Sequence, residues 1–293
     1  MEIEQKWFLP EELLRNAFEH LSIDEELYSL FKARANRCVN ELAKQFEPEP
    51  PDKEDYDYSI ETATTYIQEF ARQVHIGHSK LWSEKYSYYL EANGEVYSVQ
   101  DAYNAVMIKH GKDKADQELT LYAKSLYEDP VFVKSYIYFF HDGFEDPEKT
   151  AKEFVSQYNS LIKKGKSDIY AKQYALQILG NDPAYCELYA SKFEESINKG
   201  RDEDKSRIIA NAYKNLYYDY WPEDDNLLGI EGHNGYMKGF EYAIDNGIDS
   251  PGTFAEEFMK AYLHSLFPDE EEPPCKRKGK YDDIISQLLA NKE

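Results

Sequence analysis

Apolar residues recur along this chain at helical spacing, and the alternation expected of a half-buried strand is nearly absent. Five segments repeat one pattern: an aromatic residue, another position of the same face four residues on, an apolar residue four further, then Gly three places later. They are Tyr66-Phe70-Val74-Gly77, Phe132-Tyr136-Phe140-Gly143, Phe154-Tyr158-Ile162-Gly165, Tyr189-Phe193-Ile197-Gly200 and Tyr236-Phe240-Ile244-Gly247. Positions i, i+4 and i+8 line one helix face. The glycine sits where a helix stops on a left-handed residue. Each copy therefore predicts an amphipathic helix with an aromatic seam and a glycine stop. Helix starts are marked by Asp129-Pro130, Asp146-Pro147, Asp182-Pro183 and Ser250-Pro251. There the Asp or Ser side chain can accept from a free N–H, and Pro fits the first helical position.

The pattern predicts an all-α fold, either an array of antiparallel helical hairpins or an irregular helical bundle. The glycines lie 66, 22, 35 and 47 residues apart. The 35-residue step fits one hairpin and is similar to the tetratricopeptide period, in period and helix count only. The 47-residue step implies an insertion, read as loop from Trp221 through Gly232, with Gly232-His233-Asn234-Gly235 entering the Tyr236 helix. Residues 1–46 read as a helical pair, the second helix running from about Asp24 to Phe46. Residues 47–57 read as an acidic Pro-rich linker and 58–267 as the hairpin domain. Residues 268–293 hold a second linker, the basic run Lys276-Arg277-Lys278-Gly279-Lys280 and a closing helix from about Asp282 to Ala290. Ile284, Ile285, Leu288 and Leu289 give that helix an apolar face, expected to cap the last hairpin.

Charge narrows the function. The 293 residues carry 34 Lys and Arg against 56 Asp and Glu, a formal net charge of −22. Phosphate backbones require clustered basic residues, so direct nucleic-acid binding is not expected, and neither is attachment to an anionic membrane surface. No apolar run reaches the ~18 residues of a membrane-spanning helix. The first nine residues have no signal-peptide pattern. Three widely spaced cysteines, Cys38, Cys186 and Cys275, do not make a disulfide framework, and a cytoplasmic location follows as the expectation. The 26 Tyr suit half-wet helix surfaces and binding surfaces alike.

Catalytic motifs are thin. His75-Ile76-Gly77-His78 resembles the HIGH signature of class I aminoacyl-tRNA synthetases, which implies a phosphate-contacting turn after a strand. Here the preceding segment reads as helix, Gly77 as its stop, and no KMSKS-like loop follows. His141-Asp142 resembles the dipeptide of the HD phosphohydrolases, which implies a divalent metal held by His110, His141 and Asp142. The plainer reading is a polar pair at a helix C-terminus, where His suits the dipole. No Walker A, GxGxxG or GxSxG motif occurs. No catalytic residue, metal ligand or cofactor is assigned. The densest aromatic cluster, Tyr217, Tyr218, Tyr220 and Trp221, borders the insertion and is the expected partner-binding site. The expected function is a non-enzymatic binding module, scaffold or inhibitor, for a protein with a basic surface. Two alternatives are an acidic nucleic-acid mimic that inhibits a DNA- or RNA-handling enzyme, and an HD-like hydrolase.

Overall fold

The computed structural model describes residues 7–45, 50–219, 227–268 and 280–290, and these are helical with no strand. Two compact units divide between Lys152 and Glu153. The first holds α1 (Glu11–Glu19), α2 (Tyr28–Gln45), α3 (Lys53–Ile76), α4 (Lys80–His110), α5 (Lys112–Leu126) and α6 (Pro130–His141). The division falls inside α7 (Pro147–Lys163), a place composition does not mark. The second unit continues with α8 (Asp168–Gln177), α9 (Pro183–Asn198), α10 (Glu203–Asp219), α11 (Leu227–Asp245), α12 (Pro251–Leu266) and α13 (Asp282–Ala290). Within each unit, helices pack chiefly on their neighbours in sequence.

All five stripe glycines stand at helix ends with positive φ. The closure is the Schellman arrangement each time. At α3, Gly77 N–H donates to Val74 O at 3.0 Å and His78 N–H to Gln73 O at 3.1 Å. The same two bonds recur around Gly143, Gly165, Gly200 and Gly247. The left-handed turn satisfies carbonyls that the helix leaves without donors. The aromatic seam is also real: Tyr66–Phe70, Phe154–Tyr158, Tyr189–Phe193 and Tyr236–Phe240 stack at 6.1–6.3 Å between ring centroids. Two helices outside the five copies share the habit, α8 through Tyr170–Tyr174 and α12 through Phe254–Phe258–Tyr262. The third stripe position is less buried than the pattern implies, since Val74 and Ile162 are exposed.

Residues 7–45 pack on α3. Leu14, Phe18, Phe31 and Val39 share a core with Ala63, Tyr66, Ile67 and Phe70. The Pro-rich stretch is shorter than its composition suggests, because α3 begins at Lys53. Asp52 accepts from the N–H groups of Glu54 and Asp55, and the Asp55 carboxylate reaches back to Asp52 N–H, forming a capping box. Acidic residues there start a helix rather than prevent one. Of the Asp-Pro and Ser-Pro starts, Asp129, Asp146 and Asp182 cap as expected. Ser250 does not: its side chain makes no cap bond.

α13 caps α12, with Tyr281, Ile285, Leu288 and Leu289 packed against Phe254, Phe258 and Tyr262. Ile284 faces solvent rather than sharing that contact. The expected loop at Gly232–Gly235 is instead part of α11. Two glycines of α11, Gly235 and Gly239, allow α12 to approach closely. A Cβ on Gly235 would lie 2.7 Å from the Tyr262 ring, and one on Gly239 would lie 2.8 Å from Phe258 Cβ and 3.0 Å from Ala255 Cα. Ala243, fully buried, continues the small-residue face toward α12.

Gly239→Ala tests this packing. Helix propensity alone favours Ala by about 1 kcal/mol, but overpacking against near-backbone atoms costs roughly 1–3 kcal/mol. The expected outcome is a net loss of stability in urea unfolding. An unchanged or raised midpoint would show that α11 and α12 are not this close.

Candidate functional site

Two of the residues that follow the stop glycines, His78 and Arg201, anchor the best-organised polar clusters. The first lies where α3, α4 and α5 meet. His78 follows Gly77, and Ser79 caps α4 by accepting from Trp82 N–H. The His78 side chain is fully buried and its Nδ1 donates to Glu118 Oε2 at 2.7 Å. Glu118, 2% exposed, also takes Lys114 Nζ at 3.1 Å and Ser79 N–H at 3.3 Å. Burial alone pushes the Glu118 carboxyl up, but the bonds from His78, Lys114 and Ser79 outweigh it and hold its pKa at about 2. The His78 ring stacks flat on Trp82, 4.8 Å between centroids and 8° between planes. Tyr122 packs beside both rings, and Tyr86 and Tyr122 both donate to Glu95 Oε1. Burial raises the pKa of both hydroxyls.

The second cluster belongs to the other unit. Arg201 follows Gly200 and is 11% exposed at its side chain. Its guanidinium donates to both Asp245 oxygens at 2.8 and 2.7 Å and to Glu241 Oε2 at 2.8 Å. Tyr213 donates to Glu241 Oε1 at 2.9 Å, and Lys199 reaches Glu241 and Glu195. The α9–α10 turn is thereby tied to the end of α11. In both clusters the charges are consumed by partners inside the fold. The imidazole–carboxylate pair His78–Glu118 has the form of a catalytic dyad, but it is buried, and the neighbouring Ser79 hydroxyl is engaged in capping α4.

The motif residues part company. His75 is exposed while His78 is buried, so the HIGH letters do not form one site. His141 pairs with Asp116 at 3.2 Å, and Tyr103 donates to the same Asp116 oxygen at 2.9 Å. Among the described residues no group of three His, Cys, Asp or Glu could hold a metal, so His110, His141 and Asp142 do not assemble the HD site. His233 sits half-buried within α11 beside Tyr213, not on a loop. Tyr217 and Tyr218 belong to α10, but their side chains lie outside the described residues, as do Tyr220 and Trp221 altogether.

One exposed face does combine aromatic and acidic groups. Along the outer side of α3, Glu54, Asp57, Tyr58 and Glu61 follow at helical spacing, and Tyr58 is 50% exposed. Asp52 and Asp55 are engaged in capping. Glu54, Asp57 and Glu61 form no ion pair among the described residues, nor does any helix there have the length and apolarity to cross a membrane. Sequence reasoning missed this face because it assigned Asp57 and its predecessors to a linker. The signal that could have found it is Asp52-x-x-Asp55, a capping box. Comparison with known protein families, characterised proteins and solved structures finds no match to this chain.

The Glu118 pair generates a pH prediction. A carboxyl held near 2 in the fold, against 4.5 in the unfolded chain, adds stability that is complete above about pH 4.5 and lost as pH falls toward 2. Glu118→Gln is expected to lower stability at pH 7 by about 2–3 kcal/mol, since it weakens a buried hydrogen-bonded pair. At pH 3 the gap to the parent chain narrows. Urea unfolding at both pH values checks this. A gap independent of pH would mean that Glu118 is not a paired carboxylate.

Proposed function

We propose that this chain is a non-enzymatic protein-binding module, a scaffold or inhibitor, whose partner presents a basic patch. The observation that carries the reading is the α3 face with Tyr58 among Glu54, Asp57 and Glu61. Glu54 also complements the helix N-terminus, but Asp57 and Glu61 lie beyond the first turn, where that benefit fades. Like charges three and four residues apart on a helix repel, by about 0.2–0.5 kcal/mol per pair. A partner with Lys or Arg opposite them relieves the repulsion. Tyr58 offers a rigid ring with a polar tip, the side-chain type enriched at binding hot spots. The net charge of −22 adds long-range attraction for a basic partner and makes association salt-dependent.

The test is retention of partners from source-cell lysate by the tagged chain, compared at low and moderate salt with a triple variant, Glu54→Lys, Asp57→Lys and Glu61→Lys. A control of equal charge change, Glu19→Lys, Glu128→Lys and Glu153→Lys, separates the face from net charge. The parent chain and the control are expected to hold one protein at near-equal amount at low salt. The α3 variant loses at least ~10-fold, on the scale of a hot-spot loss. Equal retention by all three, or no specific protein at either salt, would sink the reading.

A further inference from the structure

Two helical pairs of the second unit meet across a joint rich in ionisable groups. On one side Tyr189, Phe193 and Ala210 of α9 and α10 form an apolar cluster with Ile169 and Ile197. On the other side α11, α12 and α13 share a second cluster around Ala243, Phe254, Phe258 and Tyr281. α11 turns Gly235 and Gly239 toward α12. A different face carries His233, Met237, Glu241 and Asp245 in a row at four-residue spacing. The partners of this row come from α9, α10 and the turn between them. Tyr213 donates to Glu241, and Arg201 bonds both Glu241 and Asp245. Met237, between His233 and Glu241, is 1% exposed.

His233 is the member of the row whose charge changes nearest neutral pH. Its half-buried ring lies 6.1 Å from the Tyr213 ring. Lys192 Nζ of α9 lies 4.5 Å from the centre of that same tyrosine ring. A neutral imidazole fits this place. An imidazolium there is partly desolvated and faces a second cation across one tyrosine. Burial first, and Lys192 second, hold the His233 pKa below the usual 6.5. Around this group, Lys192 is paired with Glu195 on α9, and Lys214 of α10 reaches Gln177 on α8. On the α12 side, Glu231 and Lys238 both bond the Tyr262 hydroxyl.

We propose that the contact of α11 with α9 and α10 is an acid-operated joint: protonation of His233 opens it, and α11, α12 and α13 move off as one body while each side keeps its own core. Linkage fixes the direction. A histidine whose pKa is lower in the closed form costs nothing above about pH 6.5, and its penalty grows as pH falls toward the lowered value. Glu241 and Asp245 act in the same sense in stronger acid. Burial alone would raise the Glu241 pKa, but the bonds from Tyr213 and Arg201 outweigh it, and Arg201 lowers that of Asp245. Their contribution to closure is complete above about pH 4.5 and lost below it. The joint needs no partner protein, so it stands apart from the α3 face.

Methionine oxidation in the full chain tests this, because peroxide passes one oxygen to an accessible thioether and leaves as water. Met107, 38% exposed in the other unit, reports the intrinsic rate. Met259, packed on Gly232 and Gly235, reports any separation of α11 from α12. From about pH 7.5 to about pH 5, Met237 oxidation relative to Met107 is expected to rise at least ~5-fold, with Met259 unchanged. His233→Gln, which takes up no proton there, abolishes the rise. Constant Met237 oxidation, an equal rise in His233→Gln, or a parallel rise at Met259 overturns the proposal. Should His233→Gln lose its helical circular dichroism, Lys192→Gln decides. With the opposing cation gone, the rise shrinks at least ~2-fold, and a rise equal to the parent's overturns the proposal as well.

Discussion

A helix that ends leaves its last carbonyls without intrahelical donors, and this chain meets that demand in one way five times. The glycine with positive φ turns the backbone so that its own N–H and the next one close on the helix. That closure does more than stop the helix. It fixes the direction of the residue after the glycine, which is His78, Phe144, Lys166, Arg201 or Ile248. Phe144 returns to Phe139 on the helix just ended, Lys166 lies over the Tyr170 ring, and Ile248 joins the core beneath α13. His78 and Arg201 reach carboxylates about 40 residues away. Phe144 excepted, these positions tie each helix end to a later segment.

The charged pins solve a problem that the aromatic seams create. Stacked i, i+4 ring pairs occur on most of the long helices and look alike, so they offer many near-equivalent ways to pack. Hydrophobic burial is non-directional and cannot choose among them. A buried ion pair can, because it is costly unless every partner is in place. Glu118 is satisfied only when α5 sits opposite the α3–α4 turn, and Glu241 only when α11 meets the α9–α10 turn. In the same unit, Gly235 and Gly239 set a third condition, since α12 approaches α11 too closely for any side chain there.

The candidate surfaces were less legible than the helices. The acidic, proline-flanked stretch before Asp57 reads as linker by composition, yet the Asp52–Asp55 capping box turns it into the first turns of α3. Asn36 and Asn40 give no signal at all in an ordinary amphipathic helix, because the groups they bind lie 27 and 33 residues earlier. The conspicuous Tyr217–Trp221 cluster remains a proposal from sequence, as its side chains lie outside the described residues.

The amino-acid sequence by itself determined the helical class, the five glycine stops, the three Asp-Pro starts and the docking helix near the end. Each of these is settled within a turn or two of backbone, by a cap, a positive φ or a periodic face. Only the tertiary structure decided the rest: that Gly232–Gly235 is packed helix rather than loop, that His78 pairs with Glu118 and His141 with Asp116, that His110, His141 and Asp142 do not gather as a metal site, and that Asn36 and Asn40 of α2 bond the main chain of Trp7 and Leu9. Those outcomes depend on atoms contributed from distant segments, and no local preference encodes which segment arrives.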